Sequence, residues 1–397
     1  MILPGKYIII ATKIILPAII FPSLFINLVF KTKNRQHKEY IRFQTRLAMD
    51  TPKFKLNDRL KNIFSWLNFD NINNYVFEFQ SNFPQCPLCN FTVHNPNVTR
   101  DDSKDLVMSF LIGRLAGVIP FIHTLRSTGC KAQIVIFTDT LTIQMINNTV
   151  GSYMKNCGVH IIDMGIYKKV KYHRHIYYIK YLTASTFLNA HSGFGRVLLT
   201  DLSDVIFQGN PFLTPLPNDN SVIACEEFEM NKGAAVHWTK GSEYEVLKVL
   251  VQIKKDSNIS FYPRQAKYYN GGLFFGPVHI VKNHTNNVVN LINSLNQNQL
   301  NRLNKINTRV EEQSVHSFAI NEYLRKNSSI TVINDGPHHE IFMLWGRHME
   351  KNQRFPNFIY KGNYPTLYHL IYMDKGYCKS IARACPPIFN FSNYYRC

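Results

Sequence analysis

The feature that most constrains the fold is an alternation of short apolar runs with helical stretches after Asp105. Residues 106–112, 133–137 and 159–163 have the length and the β-branched content of buried strands. Stretches of helical length, residues 116–126 and 140–156, follow the first two, and Gly129 is a residue typical of a helix end. Strands that alternate with helices of this length predict right-handed βαβ units. We therefore expect an α/β fold with a mostly parallel sheet flanked by helices.

A fourth apolar run, residues 197–199, ends close to two acids, Asp201 and Asp204. Open α/β sheets bind their ligands at the carboxyl ends of the strands. Carboxylate oxygens suit Mg²⁺ or Mn²⁺, and such an ion commonly neutralises the phosphates of a substrate. The alternative is a turn in which Asp204 accepts hydrogen bonds from nearby backbone N–H groups. On these residues alone, both interpretations stay open.

The second half of the chain contains a strand bracketed by glycines. Residues 268–276 read YYNGGLFFG, and a shorter strand is predicted at residues 222–225. The two central glycines indicate either a bulge or a place where another group approaches the backbone closely. Residues 278–297 and 311–326 are expected to be helical.

The amino-terminal segment is long and apolar. Residues 14–30 contain no charge, and Lys13 interrupts an apolar stretch that begins at Tyr7. No A-x-A cleavage site follows, so we expect residues 1–30 to be a retained transmembrane anchor. Residues 31–103 are basic, rich in Asn and interrupted by prolines, which predicts a stem. Residues 104–397 then form the α/β domain.

The charge distribution and the cysteines bear on the compartment. The net charge is +19, but the basic residues are scattered and carry no nucleic-acid-binding motif, so we expect no nucleic acid partner. Basic residues crowd the carboxyl side of the anchor, which would place the body of the protein in the cytosol. Eight cysteines and seven Asn-x-Ser/Thr sequons favour the lumen instead. The sequons are at Asn90, Asn97, Asn147, Asn258, Asn283, Asn327 and Asn390.

In this order the segments resemble nucleotide-sugar-dependent glycosyltransferases of the GT-A fold, in particular the glycogenin-like and related nucleotide-diphospho-sugar transferase families. The resemblance covers roughly residues 105–370. The motifs that carry it are LVMSFLIG, IVIFTD, LLTDLSDVIFQGNPF, YNGGLFFG and EEQSVHSFAIN. It implies a Rossmann-like GT-A domain that transfers a sugar from a UDP- or GDP-sugar to a glycan, protein or lipid acceptor. An anchor and a stem suit a single-pass type II protein of the Golgi or ER membrane with a lumenal catalytic domain.

The resemblance also implies a metal site for Mn²⁺ or Mg²⁺. The family's acidic motif is D-x-D, whereas here Asp201 and Asp204 are one residue further apart. The third ligand in the family is a histidine near the end of the catalytic domain, and His369 in PTLYHLIYM matches that place. His338 and His339 are alternatives.

Three residues match positions at which the family contacts the reacting sugar. Asn270 lies in the glycine strand, where the sugar approaches the backbone. Glu312 and Gln313 resemble a D-Q pair that faces the sugar in retaining members, with Glu in place of Asp. A solvated helix start, with acids near the positive end of the helix dipole, is the alternative for Glu312.

Four residues are expected to bind the nucleotide-sugar donor. Gly271 and Gly272 would let the donor approach the backbone of the glycine strand. Asp139 follows the second strand and would contact the base or ribose, or else cap the next helix. Lys180 would contact the phosphates, unless it is a solvent-facing lysine of an amphipathic helix. The alternative for the whole protein is an inactive, membrane-tethered glycan-binding or scaffold protein on the same fold.

Overall fold

The computed structural model describes residues 56–167, 176–226, 239, 241–303, 305, 308–334, 342–344, 354–359, 364–369 and 375–385. The predicted anchor at residues 1–30 and the alternative ligands His338 and His339 lie outside these ranges. Among the residues described, no helix combines the length and the apolar character needed to cross a membrane. The anchor and its orientation stay predictions.

Ten strands and twelve α-helices are found in the described ranges. The strands are β1 (Leu106–Leu111), β2 (Gln133–Thr138), β3 (Val159–Asp163), β4 (Arg196–Thr200), β5 (Val205–Phe207), β6 (Ser221–Glu226), β7 (Tyr269–Pro277), β8 (Thr331–Asn334), β9 (Phe342–Leu344) and β10 (Leu367–His369). The helices are α1 (Asp58–Ile63), α2 (Phe69–Asn73), α3 (Val118–Ser127), α4 (Thr140–Asn147), α5 (Gly151–Asn156), α6 (Ile176–Ala190), α7 (Gly241–Ile253), α8 (Tyr262–Gln265), α9 (Val278–Ser294), α10 (Gln297–Leu303), α11 (Thr308–Ala319) and α12 (Lys375–Ala384). A π-helical turn, Ile320–Arg325, continues α11.

Seven strands form one central sheet in the order β3-β2-β1-β4-β7-β6-β8. Strand β7 runs antiparallel to its neighbours β4 and β6, and all the other pairs are parallel. The predicted α/β class, with a mostly parallel sheet flanked by helices, is therefore confirmed. The carboxyl ends of β1, β2, β3, β4, β6 and β8 all point to the same edge of the sheet.

Both faces of the sheet are apolar because side chains alternate along each strand. Leu106 and Met108 of β1 pack in one buried cluster, which also contains Leu182 of α6. Val107 points to the opposite face and joins a second cluster with Phe121 of α3. Each face thus excludes water only when helices cover it, which explains why the fold needs layers on both sides.

Two predicted helices differ from the observed ones. The helix expected at residues 140–156 is divided into α4 and α5, and the Thr149 hydroxyl donates to the carbonyl of Met145 at the break. Thr and Asn side chains compete in this way with helical backbone hydrogen bonds. The helix expected at 311–326 begins at Thr308 and ends in the π-helical turn.

Residues 31–103 were predicted to be a stem, and those from Leu56 onwards pack on the α/β unit. Leu60, Phe64 and Ile72 are buried in the same cluster as α6. Two disulfides, Cys86–Cys157 and Cys89–Cys385, attach the segment to the end of α5 and to the end of α12. Residues 31–55 lie outside the described ranges, so a stem in that part stays a prediction.

A second sheet of three strands, in the order β5-β10-β9, lies next to the end of β4. Strand β10 pairs antiparallel with β5, and His369 is opposite Val205 in this register. Val205 follows Asp204 directly in the chain. The pairing therefore brings the end of β10, more than 160 residues further along the chain, to the acids that follow β4.

Candidate functional site

The first predicted ligand, Asp201, is the residue that directly follows β4. Its backbone N–H donates to the carbonyl of Gly272 at 2.9 Å, which continues the pairing of β4 with β7. The preceding Thr200 is buried, and its carbonyl accepts a 2.8 Å hydrogen bond from Ser109 of β1. The Asp201 side chain is 39% exposed. A rigid strand end thus holds a carboxylate at the solvent boundary.

Asp204 and His369 come together with Asp201 through the small sheet. His369 Nε2 lies 3.4 Å from Asp204 Oδ1 and 3.6 Å from Asp201 Oδ2. One ligand atom from each of the three residues lies within 4.8 Å of the others. The imidazole is buried, and neither of its nitrogens has a partner in hydrogen-bond geometry. Two carboxylates and a buried imidazole with free nitrogens fit Mn²⁺ or Mg²⁺ in chemistry.

The charges around this cluster shift the pKa values of His369 and Asp201. Burial opposes the charged imidazole, but Asp204 and Asp201 outweigh it and raise the pKa of His369 to about 10. Desolvation likewise opposes ionisation of Asp201, but Lys180 and His369 outweigh it and lower the pKa of that carboxyl. The metal-free cluster therefore balances its acids with a protonated histidine and a lysine.

Lys180 of α6 lies behind Asp201 and is only 4% exposed. Its Nζ donates to the carbonyl of Gly271 at 2.5 Å and lies 3.1 Å from Glu312 Oε1 and 3.4 Å from Asp201 Oδ1. Burial opposes the ammonium, yet Asp201 and Glu312 raise the pKa of Lys180. Lys180 is not a solvent-facing lysine; it joins α6, β4, β7 and α11.

Glu312 of α11 is 8% exposed and faces Lys180. Burial raises the pKa of Glu312, Lys180 lowers it, and Asp201 raises it further, with a net upward shift. The alternative of a solvated helix start therefore does not describe this side chain, because its carboxylate is turned into the protein. Glu312 lies beside Lys180, which in turn contacts Asp201.

Gln313 and Asn270 form hydrogen bonds to the backbone of the glycine strand. Asn270 Nδ2 donates to Gln313 Oε1 at 3.3 Å, and the N–H of Gly271 lies 3.4 Å from the same oxygen. Asn270 Oδ1 accepts from the N–H of Gly272 at 2.7 Å. These contacts fix the backbone that faces Asp201.

The two glycines are required by close approach. A Cβ on Gly271 would come 2.6 Å from Glu312 Oε1. A Cβ on Gly272 would come 2.6 Å from His369 Cε1 and 2.7 Å from Asp201 Oδ2. The groups that approach the two glycines closely in this structure are side chains of the site itself, and approach of a donor stays a prediction.

Asp139 is separate from this group. It follows β2, which is two strands away from β4, although it lies at the same edge of the sheet. Its carboxylate makes no capping hydrogen bond to the backbone of α4 and accepts instead from the Thr142 hydroxyl. The Thr142 oxygen in turn accepts a 2.7 Å hydrogen bond from the N–H of Gly113, so Asp139 supports the loop after β1.

One residue of the site was missed by reasoning from the sequence. Tyr181 is fully buried beside Glu312, and burial followed by the charge of Glu312 raises the pKa of its hydroxyl well above the ordinary value. Its ring lies 5.4 Å from Lys180 Nζ. Tyr181 is adjacent to Lys180, and adjacent residues of a helix do not normally share a face. Only the apolar character of the whole helix could have indicated from the sequence that Tyr181 is buried at the site.

A second group with metal-ligand residue types is Cys86, His123 and Cys157. Because the two cysteines form a disulfide, their sulfurs are not thiolate ligands. The cluster of Asp201, Asp204 and His369 is the remaining candidate metal centre among the residues described.

No model of a known protein family matches the chain, and no curated protein is significantly similar to it in sequence.

Proposed function

We propose that the protein is a metal-dependent glycosyltransferase of the GT-A fold that moves a sugar from a nucleotide-diphosphate donor to an acceptor. The observation that carries the proposal is the convergence of Asp201, Asp204 and His369 at the carboxyl edge of the sheet. His369 is distant in the chain from the two acids, and the site lies where open α/β sheets bind nucleotides. The resemblance of the motifs to the glycogenin-like families supplies the donor class, a UDP- or GDP-sugar.

Asp201, Asp204 and His369 would hold the Mn²⁺ or Mg²⁺ ion. When bound, such an ion stabilises negative charge on the diphosphate as a Lewis acid. The chain's own residues prepare the surroundings. Lys180 carries a buried positive charge behind Asp201 and helps to lower the pKa of that carboxyl.

The donor sugar would lie over the glycine strand. Gln313 and Asn270 hold this backbone in place, and Gly271 and Gly272 leave no Cβ between it and the site. Because Lys180 neutralises Glu312, this carboxylate is a positioning group in the metal-free chain and not a free nucleophile. The acceptor in this proposal is a glycan, a protein or a lipid.

One observation favours the alternative of an inactive glycan-binding or scaffold protein. Lys180 and protonated His369 already compensate Asp201 without a metal ion. A protein that had lost metal-dependent catalysis could keep its acids in this arrangement.

Donor turnover separates the two proposals. The purified chain is incubated with Mn²⁺ and a panel of UDP- and GDP-sugars, and release of UDP or GDP is measured. We expect nucleotide release with at least one donor. In Asp201→Ala the rate of release should fall roughly 100-fold, because loss of a direct metal ligand lowers activity at least as much as loss of a group that supports a ligand. Asp70→Ala, at an exposed acid of α2, is the matched control. Equal release in Asp201→Ala and the control would refute metal-dependent transfer.

A further inference from the structure

The sequons of the chain differ in how accessible they are. Six of the seven lie in described residues, and Asn390 does not. In five of them both the Asn and the hydroxyl residue two positions later are exposed. These five are Asn90, Asn97, Asn147, Asn258 and Asn327.

Two of the exposed sequons share one local geometry. Asn258 Oδ1 accepts from the N–H of Ser260 at 2.9 Å and from its hydroxyl at 2.8 Å. Asn327 Oδ1 accepts from the N–H of Ser329 at 3.0 Å and from its hydroxyl at 2.7 Å. Among the residues described, the side-chain hydrogen bonds of the two asparagines use only the oxygen, which leaves the amide nitrogen Nδ2 to the solvent.

Asn283 shows the opposite situation. It lies within helix α9, and Asn287 donates to its Oδ1 at 3.4 Å. The hydroxyl of its sequon belongs to Thr285, which is fully buried and donates to the carbonyl of Lys282. An oligosaccharide at Asn283 would clash with the packed helices, so this sequon serves as the negative control.

The disulfides give independent information about the compartment. Cys86–Cys157 and Cys89–Cys385 both join distant parts of the chain. Disulfides of this kind form and persist in oxidising compartments such as the ER lumen. Asparagine glycosylation of Asn-x-Ser/Thr takes place on secreted and lumenal chains as well.

We propose that Asn258 and Asn327 carry N-linked oligosaccharides. In the modification step, Nδ2 of the asparagine forms a bond to the anomeric carbon of an oligosaccharide carried on a lipid pyrophosphate. The bond between that carbon and the pyrophosphate oxygen breaks, the lipid pyrophosphate leaves with the bonding electrons, and Nδ2 loses one proton. The co-reactant is the lipid-linked oligosaccharide of the secretory pathway.

The position of Asn327 keeps its oligosaccharide away from the candidate metal centre. Asn327 lies in the turn that leads to Thr331, the first residue of β8, which pairs with Ser221 at the start of β6. Strands β4, β6 and β8 run in the same direction, and Asp201 follows the far end of β4. The glycan and the site are therefore at opposite edges of the sheet, and the modification is independent of the proposed transferase activity.

Peptide mapping tests the proposal on the unaltered protein. The full chain is expressed in cultured eukaryotic cells, isolated under non-reducing conditions and treated with peptide N-glycosidase, which converts each glycosylated Asn to Asp. We expect Asp at positions 258 and 327 and unchanged Asn at 283. Recovery of unmodified Asn at 258 or 327 overturns the proposal for that position.

Variants provide the second measurement. Loss of one glycan should increase the electrophoretic mobility by one step in each of the variants Asn258→Gln, Asn327→Gln and Ser329→Ala. Asn283→Gln should migrate like the wild type. Ser329→Ala keeps the asparagine and removes only the hydroxyl of the sequon. A mobility unchanged in Ser329→Ala, or one step lost in Asn283→Gln, contradicts the assignment.

Discussion

Lys180 is predicted to be the side chain on which the stability of the site depends most. Its ammonium lies between Glu312 at 3.1 Å and Asp201 at 3.4 Å and donates to the Gly271 carbonyl. The Lys180→Met substitution keeps an apolar chain of similar length and removes the charge. Glu312, 8% exposed, then loses the cation that contacts it, whereas Asp201 still reaches solvent.

The magnitude follows from the burial of the pair. Removing one partner of a buried ion pair costs about 3–5 kcal/mol, because the other charge is left uncompensated. Replacing both partners by apolar residues is far less costly, since no charge remains buried. The Lys180→Met/Glu312→Leu double variant should therefore be more stable than Lys180→Met by about 1–3 kcal/mol.

The pH dependence of this effect has a defined sign. Burial already raises the pKa of Glu312, and loss of Lys180 removes the contact that opposes this rise. At lower pH the carboxyl of the single variant takes up a proton and the buried charge disappears. The destabilisation by Lys180→Met should thus be smaller at pH 5 than at pH 8.

The assay is equilibrium urea unfolding of the purified chain and its variants. Lys248→Met is the matched control, because Lys248 pairs with Glu245 on the surface, where the two side chains are 36% and 46% exposed. Surface pairs contribute about 0–1 kcal/mol, so this variant should stay close to the wild type. The reasoning is refuted if Lys180→Met costs no more than the control, or if the double variant is no more stable than Lys180→Met.

Two further predictions concern the glycine strand and the buried histidines. Gly272→Ala should lower Mn²⁺ affinity roughly tenfold or more, since its Cβ would come within 2.6 Å of His369 and 2.7 Å of Asp201. Gly151→Ala, whose Cβ would meet no atom closer than 3.3 Å, should leave the affinity in calorimetric titration unchanged, and equal losses would contradict the reasoning. Burial lowers the pKa of His123 and His160 to about 4 and that of His284 to about 3. Below about pH 6.5 the unfolded chain therefore binds more protons than the folded chain. Stability should therefore fall by several kcal/mol between about pH 6.5 and pH 4, and a melting temperature that does not change over this range would disprove it.

The strands and the first acids were predictable because their signals are local. The apolar runs at β1 to β4 follow the period of a buried sheet, and the turn residues after them mark the helix boundaries. Asp201 could be assigned from its place after β4, since the carboxyl edge of such a sheet is where ligands bind. His369 depended on the resemblance, because fifteen histidines offer no local reason to choose one.

The contacts that complete the site are long-range and leave no local signal. Lys180 and Glu312 are 132 positions apart, and nothing in either segment specifies the other. The same holds for the pairing of β5 with β10 and for the disulfide partners of Cys86 and Cys89. The irregular composition of residues 56–103 is equally compatible with a free stem and with a segment that packs on the core, and in the structure it packs.

Direct titration of Mn²⁺ into the purified chain in the presence of UDP is the measurement that decides whether this edge of the sheet is a metal site. Electron paramagnetic resonance of free Mn²⁺ gives both the stoichiometry and the affinity. We predict one bound ion per chain in the wild type and in Asp70→Ala, and loss of that ion in Asp201→Ala, Asp204→Ala and His369→Ala. Binding that is absent from the wild type, or that survives unchanged in all three ligand variants, would contradict a metal centre formed by these residues.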